Sequence, residues 1–93
     1  MKKIIMFHGR DCPHCHAMMP IVDRISKEGE FQFEKLEVWH DEKNAQKMRS
    51  FSKIIGNSCG GDLGVPAFVD EENKRAFCGE NSYEELKKWL KKK

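Results

Sequence analysis

The sequence predicts one α/β domain in which a four-stranded mixed sheet is flanked by three helices, in the order βαβαββα. Its 93 residues suffice for one domain with one modest core. Hydrophobic residues make up 39% and charged residues 34%, which is typical of a folded chain rather than a disordered one. Short apolar runs alternate with segments of helical period, and this alternation favours the α/β class. We therefore expect residues 1–93 to form a single domain, with a frayed tail over residues 91–93.

A strand and a helix are expected first. Residues 3–7 form an Ile-rich apolar run that predicts a buried strand. Apolar residues at helical spacing then predict a helix over about residues 13–28. Pro13 suits the first turn of this helix, where its missing N–H costs nothing, and Gly29 ends the helix. Pro20 lies inside the helix and is expected to kink it.

A second strand, a second helix and a glycine-rich loop are expected next. Apolar residues over about 31–38 predict the strand, and a helical period over about 42–55 predicts the helix. Residues 56–64 hold four glycines and are expected to form a loop. We expect Trp39 to pack at the end of the second strand.

A hairpin and a last helix complete the predicted order. Residues 65–69 predict a strand whose proline is allowed at a strand start, and residues 75–78 predict its hairpin partner. The acidic residues 70–72 between them are expected to form a solvated turn. Ser82 starts the last helix, with Glu85 three residues later as a capping box.

This order of elements predicts which distant segments meet. A strand–helix–strand unit gives two parallel strands joined by a right-handed crossover. If the first hairpin strand runs antiparallel to the first strand, its start lies beside the end of that strand. Pro66 would then lie close to Cys12, although 54 positions separate them.

The motif Cys12-Pro13-His14-Cys15 lies where the first strand has ended and the first helix begins. Unpaired N–H groups and the helix dipole favour a thiolate at Cys12, and the thiolate is the form that attacks a disulfide. Cys15, one turn further on, is within reach to resolve the mixed disulfide. A protonated His14 adds a positive charge that favours the thiolate, whereas Asp11 acts in the opposite direction. In this position the motif predicts redox chemistry.

Three segments resemble the thioredoxin superfamily. Residues 7–15, Phe-His-Gly-Arg-Asp-Cys-Pro-His-Cys, together with Pro20 resemble its active site, and residues 64–66, Gly-Val-Pro, resemble its cis-proline segment. Gly79, followed by an acidic helix start, is similar to the glycine after the family's last strand. The proline directly after Cys12 is similar to glutaredoxins, and the Pro-His pair is similar to bacterial periplasmic disulfide oxidases. The resemblance covers nearly the whole chain.

This resemblance implies a thioredoxin-like fold and dithiol–disulfide exchange with protein disulfides or with low-molecular-weight disulfides such as glutathione. It implies that Cys12 is the nucleophile, that Cys15 resolves the mixed disulfide and that Pro66 lies beside them in cis. Val65, between Gly64 and Pro66, is expected to pair its backbone with the substrate as a short strand. We expect no cofactor, because the sulfur atoms carry the electrons. We also expect a reductase or glutathione to recycle the protein.

Charge and hydropathy exclude several other classes. Lys and Arg number 17 against 15 Asp and Glu, and a net charge of +2 gives no basic footprint for nucleic acid. The apolar run at residues 4–7 is too short to span a membrane and lacks the features of an export signal. We therefore expect a cytosolic monomer without a nucleic-acid or membrane partner.

The same cysteines are compatible with other functions. A metal-binding module would hold zinc or copper on Cys12 and Cys15, with Cys59 and neighbouring histidines completing a zinc site. No standard zinc pattern is complete, so we expect no metal. Residues 12–16 also match the haem-attachment string C-x-x-C-H. A third alternative is an interaction domain whose thiols matter little. Cys59 is expected to be a bystander or a third redox thiol that bonds to Cys12 or Cys15, and Cys78 a small buried residue.

Overall fold

The computed structural model describes residues 2–60 and 64–91. Over these ranges the chain is an α/β structure with a four-stranded sheet and four helices. The strands are β1 (Lys2–His8), β2 (Phe31–Glu37), β3 (Ala67–Asp70) and β4 (Arg75–Cys78). The helices are α1 (Pro13–Lys27), α2 (Glu42–Ser50), α3 (Ser52–Cys59) and α4 (Tyr83–Lys91).

The sheet is mixed, with the strand order β2-β1-β3-β4. β1 and β2 are parallel, and His8 at the end of β1 lies opposite Glu37. β3 runs antiparallel to β1, with Ala67 opposite Phe7, and β4 pairs antiparallel with β3. The start of β3 therefore lies beside the end of β1, as the order of elements predicted. Because of this register, the residues that precede β3 lie near the start of α1.

Helices cover both faces of the sheet. Successive side chains of a strand point to opposite faces, so a central strand between two helical layers is apolar throughout. In β1, Ile4 and Met6 pack with α1 and α4, while Ile5 and Phe7 pack with α2 and α3. The sheet is therefore the middle of three layers, and the residues after β1 emerge at one edge of this sandwich.

Helix α1 carries the cysteine motif at its first turn. Pro13 is its first residue, and the helix continues through Pro20 to Lys27. Pro20 has no N–H to donate to the carbonyl one turn earlier, so one helical hydrogen bond is missing there. Gly29 follows with φ of 86°, a conformation that glycine adopts at low cost and that ends the helix. In the described part of the chain, no helix is long and apolar enough to cross a membrane.

The prediction of one helix over residues 42–55 is wrong. Phe51 leaves helical geometry, with φ of −100° and ψ of 14°, so α2 ends at Ser50 and α3 begins at Ser52. The described residues therefore contain four helices instead of the three that the sequence predicted.

The predicted loop at residues 56–64 is also wrong in its first part. Helix α3 continues to Cys59, and Gly60 caps it with φ of 77°. Contacts with β4 stabilise this turn, because the Ala76 N–H donates to Ser58 Oγ over 3.3 Å. This contact joins residues that are far apart in the sequence. The local sequence does not predict a helix here, because Gly56, Asn57 and Ser58 are weak helix formers.

The expected solvated turn at residues 70–72 is wrong for Asp70, which is fully buried. Its carboxylate lies 2.8 Å from Lys2 Nζ and 3.1 Å from the Arg75 guanidinium. Burial raises the pKa of the Asp70 carboxyl, but hydrogen bonds from Lys2, Asn73 and Arg75 outweigh burial and lower the pKa to about 2. Asp70 is thus a buried, paired carboxylate that joins the hairpin to β1.

The last helix begins where the capping box predicts. The Glu85 N–H donates to Ser82 Oγ over 3.2 Å, which satisfies one free N–H of the first turn. The helix ends at Lys91, the first residue of the tail that the sequence analysis expects to be frayed. Residues 92–93 lie outside the described ranges.

Candidate active site at the start of helix α1

Cys12 is the N-terminal cap of α1. Its backbone is extended, with φ of −85° and ψ of 115°, and leads the chain into the helix. The backbone N–H of Cys15 donates a hydrogen bond to Cys12 Sγ over 3.3 Å. Pro13 occupies the first helical position and supplies no N–H. The Cys12 sulfur therefore takes the place of a capping oxygen, where a negative charge faces the positive end of the helix dipole.

Cys15 lies one turn deeper, and both thiols are free. Cys15 is fully buried, whereas Cys12 keeps 4% of its surface exposed. Burial, followed by the hydrogen bond with Cys12, raises the pKa of the Cys15 thiol from 9.0 to about 12. Cys15 is therefore protonated at neutral pH, and Cys12 is the less buried of the two cysteines.

The segment before β3 lies directly against Cys12. The Cys12 thiol donates to the carbonyl oxygen of Val65, with 3.9 Å between Sγ and O. The Val65–Pro66 peptide bond is cis. The carbonyl of Pro66 accepts the N–H of Gly79 over 2.9 Å, which joins this segment to the residue after β4. The predicted meeting of Cys12 and Pro66 is confirmed.

His14 faces Glu80, a residue that the sequence did not indicate. His14 Nδ1 lies 2.8 Å from Glu80 Oε1, and the imidazole donates because a carboxylate can only accept. The two side chains are 68% and 50% exposed. The pair borders a groove of about 760 Å³ beside the cis peptide bond, lined by His14, Ile21, Val65, Pro66, Gly79, Glu80, Asn81 and Ser82.

Glu37, at the end of β2, anchors the loop before Cys12. Its carboxylate accepts the backbone N–H groups of Arg10 over 2.8 Å and of His40 over 2.7 Å. A third backbone N–H, that of Trp39, donates to it over 3.1 Å. Burial raises the pKa of the Glu37 carboxyl, but these hydrogen bonds outweigh burial and lower the pKa to about 2. Glu37 is therefore charged at all physiological pH values and holds two loops at the edge of the site.

Trp39 packs on this loop instead of entering the core. Trp39 is 52% exposed. One face of its ring packs on Gly9, and this is the only part of the expected packing at the end of the second strand that the described residues show. A Cβ atom on Gly9 would lie 2.3 Å from the indole ring, so only glycine leaves room for the ring. The Gly9 carbonyl accepts the Cys12 N–H over 3.1 Å, so the residue on which the indole packs is bonded to the Cys12 backbone.

Cys59 and Cys78 form a disulfide that joins the end of α3 to the end of β4. Their Cα atoms are 5.9 Å apart, and 19 positions separate them. The expectation that Cys59 bonds to Cys12 or Cys15 is therefore wrong, and Cys78, expected to be a small buried residue, is half-buried and bonded to Cys59. Cysteine pairing cannot be deduced from sequence alone. The bond borders a small cavity of about 190 Å³, lined by Cys59, Gly64, Val65, Pro66, Cys78 and Gly79.

The zinc alternative loses one of its ligands in this fold. Cys59 is one of the expected zinc ligands, and it is bonded to Cys78. Among the residues that the structure describes, no three Cys, His, Asp or Glu side chains converge in a way that could hold a metal ion.

Two histidines flank the site without entering it. His16 Nε2 bonds to the carbonyl of Arg10, six positions earlier. Burial lowers the pKa of His8, although the nearby Glu37 carboxylate acts in the opposite direction. Both rings border a separate groove of about 540 Å³ that Cys12 does not line.

The fold thus brings together Cys12, Cys15, Val65 and Pro66, and it adds Glu80 beside His14. Neither models of protein families nor curated proteins match this chain.

Proposed function

We propose that this chain is a thioredoxin-like thiol–disulfide oxidoreductase that exchanges the Cys12–Cys15 dithiol with disulfides of proteins or low-molecular-weight compounds. One observation carries the proposal: a free cysteine caps a helix N-terminus, accepts an N–H from the second cysteine and faces the Val65 carbonyl. The strand order β2-β1-β3-β4, with helices on both faces, supports the fold assignment.

The first step is attack by the Cys12 thiolate on one sulfur of the substrate disulfide. A new sulfur–sulfur bond forms between Cys12 and the substrate, and the other substrate sulfur leaves as a thiolate that takes up a proton. The Cys15 N–H and the helix N-terminus lie where they stabilise the negative charge on Cys12 before attack.

The second step is attack by Cys15 on the Cys12 sulfur. The bond between Cys12 and the substrate breaks, the Cys12–Cys15 disulfide forms, and the proton of Cys15 goes to the departing substrate thiolate. Two electrons thus pass from the dithiol to the substrate. The raised pKa of Cys15, about 12, keeps this thiol protonated until the mixed disulfide is in place, so Cys12 attacks first.

Three neighbouring residues assist these steps. Pro13 fixes the first turn of the helix, and a protonated His14 adds a positive charge near Cys12. The backbone of Val65, after Gly64 and next to the cis bond, offers an edge along which an extended substrate pairs as a short strand.

The remaining parts of the proposal follow from this chemistry. Sulfur atoms carry the electrons, so the exchange requires no bound cofactor. Recycling requires an external reductant, which is a reductase or glutathione. We propose a cytosolic monomer that has no nucleic-acid or membrane partner.

Reduction of insulin disulfides tests the proposal. In the presence of a small dithiol, the wild-type chain should accelerate insulin precipitation, and Cys12→Ser should abolish the acceleration. A Cys59→Ala/Cys78→Ala double variant is the matched control, because it removes the other cysteine pair and should remain active. Wild-type activity equal to that of Cys12→Ser would refute the function and favour an interaction module.

A further inference from the structure

We propose that Glu80 selects disulfide substrates that carry a positive charge beside the reacting cysteine, so that the substrates are basic peptides or proteins in preference to oxidised glutathione. This inference rests on the proposed function and names its substrate class. In this proposal Glu80 determines specificity: its carboxylate contacts the substrate but takes no part in the disulfide exchange.

The position of Glu80 follows from two backbone connections. The Gly79 N–H is bonded to the Pro66 carbonyl, so the residues after β4 are fixed beside the segment that faces Cys12. Glu80 is the next residue and borders the same groove as Val65 and Pro66. A peptide that pairs with Val65 and presents a disulfide to Cys12 therefore passes along the groove that Glu80 borders.

The groove holds one fixed charge. Of its eight lining residues, Glu80 is the one acid, His14 is the one titratable base, and the others are apolar, amide, hydroxyl or glycine residues. His14 donates one N–H to Glu80 Oε1, which leaves the second carboxylate oxygen without a partner among the described residues. The Glu80 side chain is 50% exposed, so this oxygen is accessible to a lysine or arginine of a bound substrate.

The charge on glutathione opposes binding in this groove. Each half of oxidised glutathione carries two carboxylates and one ammonium group, which gives it a net negative charge at neutral pH. Glu80 is the one acid that lines the groove. A negative ligand is repelled by such a groove, whereas a lysine or arginine gains one partly exposed ion pair.

The test compares two synthetic peptide disulfides that differ only in the residue beside the cysteine, lysine in one and glutamate in the other. We expect the wild-type chain to reduce the lysine peptide about 3- to 5-fold faster, measured as kcat/KM at low salt and about pH 8. Oxidised glutathione should be the poorest of the three substrates. Glu80→Gln should remove the preference while keeping an acceptor for His14, and Glu80→Lys should reverse it.

Glu72→Lys is the matched control, since Glu72 is an exposed acid in the β3–β4 turn and does not line the groove. This variant should keep the wild-type preference. Equal rates on both peptides in the wild-type chain, or an unchanged preference in Glu80→Lys, would overturn the inference while leaving the proposed exchange intact.

Binding of unreactive peptides separates failure of the inference from failure of the proposed function. The same two peptides with serine in place of cysteine are titrated into the protein and followed by amide chemical shifts. Tighter binding of the lysine peptide that Glu80→Lys abolishes supports the charge selection even if no peptide is reduced. The absence of such a difference in binding would overturn it.

Discussion

Cys12 and Cys15 lie three positions apart on one helix and are free, whereas Cys59 and Cys78 lie 19 positions apart and are bonded across two elements. The first pair lies at a helix N-terminus and contacts the Val65 carbonyl. The second pair connects the end of α3 to the end of β4. One chain thus places two cysteine pairs near the segment of Val65 and Pro66.

This difference indicates two separate roles. A bond between Cys12 and Cys15 encloses only one helical turn. Forming or breaking it therefore changes the conformational entropy of the unfolded chain little. The Cys59–Cys78 bond closes a much longer stretch and restricts the unfolded chain more, which is the main way a disulfide stabilises a fold. We therefore assign exchange to the first pair and stability to the second.

Selective alkylation gives the largest expected effect within the first pair. A thiol with a pKa of about 12 is a thiolate in about one molecule in 10⁴ at pH 8, so Cys15 should react with iodoacetamide far more slowly than Cys12. The reduced Cys59→Ala/Cys78→Ala variant is used so that no other thiol interferes. The Cys15 rate should rise about tenfold per pH unit up to the pKa of about 12. Equal rates for Cys12 and Cys15 at pH 8 would contradict the assignment of Cys12 as nucleophile.

Removal of the second pair gives the next largest effect. Cys59→Ala/Cys78→Ala should lower the free energy of unfolding by about 3 kcal/mol, because the unfolded chain loses a cross-link across 19 positions. Urea denaturation of the oxidised proteins measures this. The matched Cys12→Ala/Cys15→Ala variant loses at most a cross-link across one helical turn and should cost about 1 kcal/mol, as typical point changes do. If the two double variants are equally stable, the stabilising role of the Cys59–Cys78 bond is refuted.

The loop anchored by Glu37 gives the smallest effect. Glu37→Gln removes the charge that binds the Arg10 and His40 N–H groups and should lower the alkylation rate of Cys12 modestly, because the loop before Cys12 is then held less firmly. Glu34→Gln is the control, because it removes an acid from the same strand. The Glu34 carboxylate pairs with Lys3 at 3.6 Å and Lys47 at 3.8 Å, away from the loop before Cys12. A rate unchanged in Glu37→Gln would show that the loop needs no anchor.

The pH dependence of this anchor has a definite sign. The pKa of the Glu37 carboxyl is lowered from 4.5 in the unfolded chain to about 2, so its stabilising effect is complete above about pH 4.5. The effect is lost as the pH falls through about 2. Loop order, followed through the amide chemical shifts of Arg10, Trp39 and His40, should therefore be constant between pH 5 and pH 8.

Much of the fold could be predicted because local sequence patterns determine where several helices begin. The helical period after Pro13 and the capping box at Ser82 each located a helix from neighbouring residues alone. The meeting of Cys12 and Pro66 followed from the order of elements, since strand pairing leaves few positions for the start of β3.

The rest depends on contacts between distant residues. Asp70 lies in an acidic run that has the composition of a turn, and its burial depends on Lys2 and Arg75 arriving from other strands. Glu80 and Glu37 show no local motif, because each acts through backbone or side-chain groups that the fold alone brings near. Cysteine spacing likewise left the partner of Cys59 open.

Trapping of the mixed disulfide tests the division of roles most directly. Cys15→Ser cannot resolve the intermediate, so this variant should remain covalently linked to insulin or to another protein disulfide substrate. Peptide mapping by mass spectrometry should place the linkage on Cys12, with the Cys59–Cys78 bond intact. Linkage through Cys59 or Cys78, or the absence of any trapped species, would contradict the account.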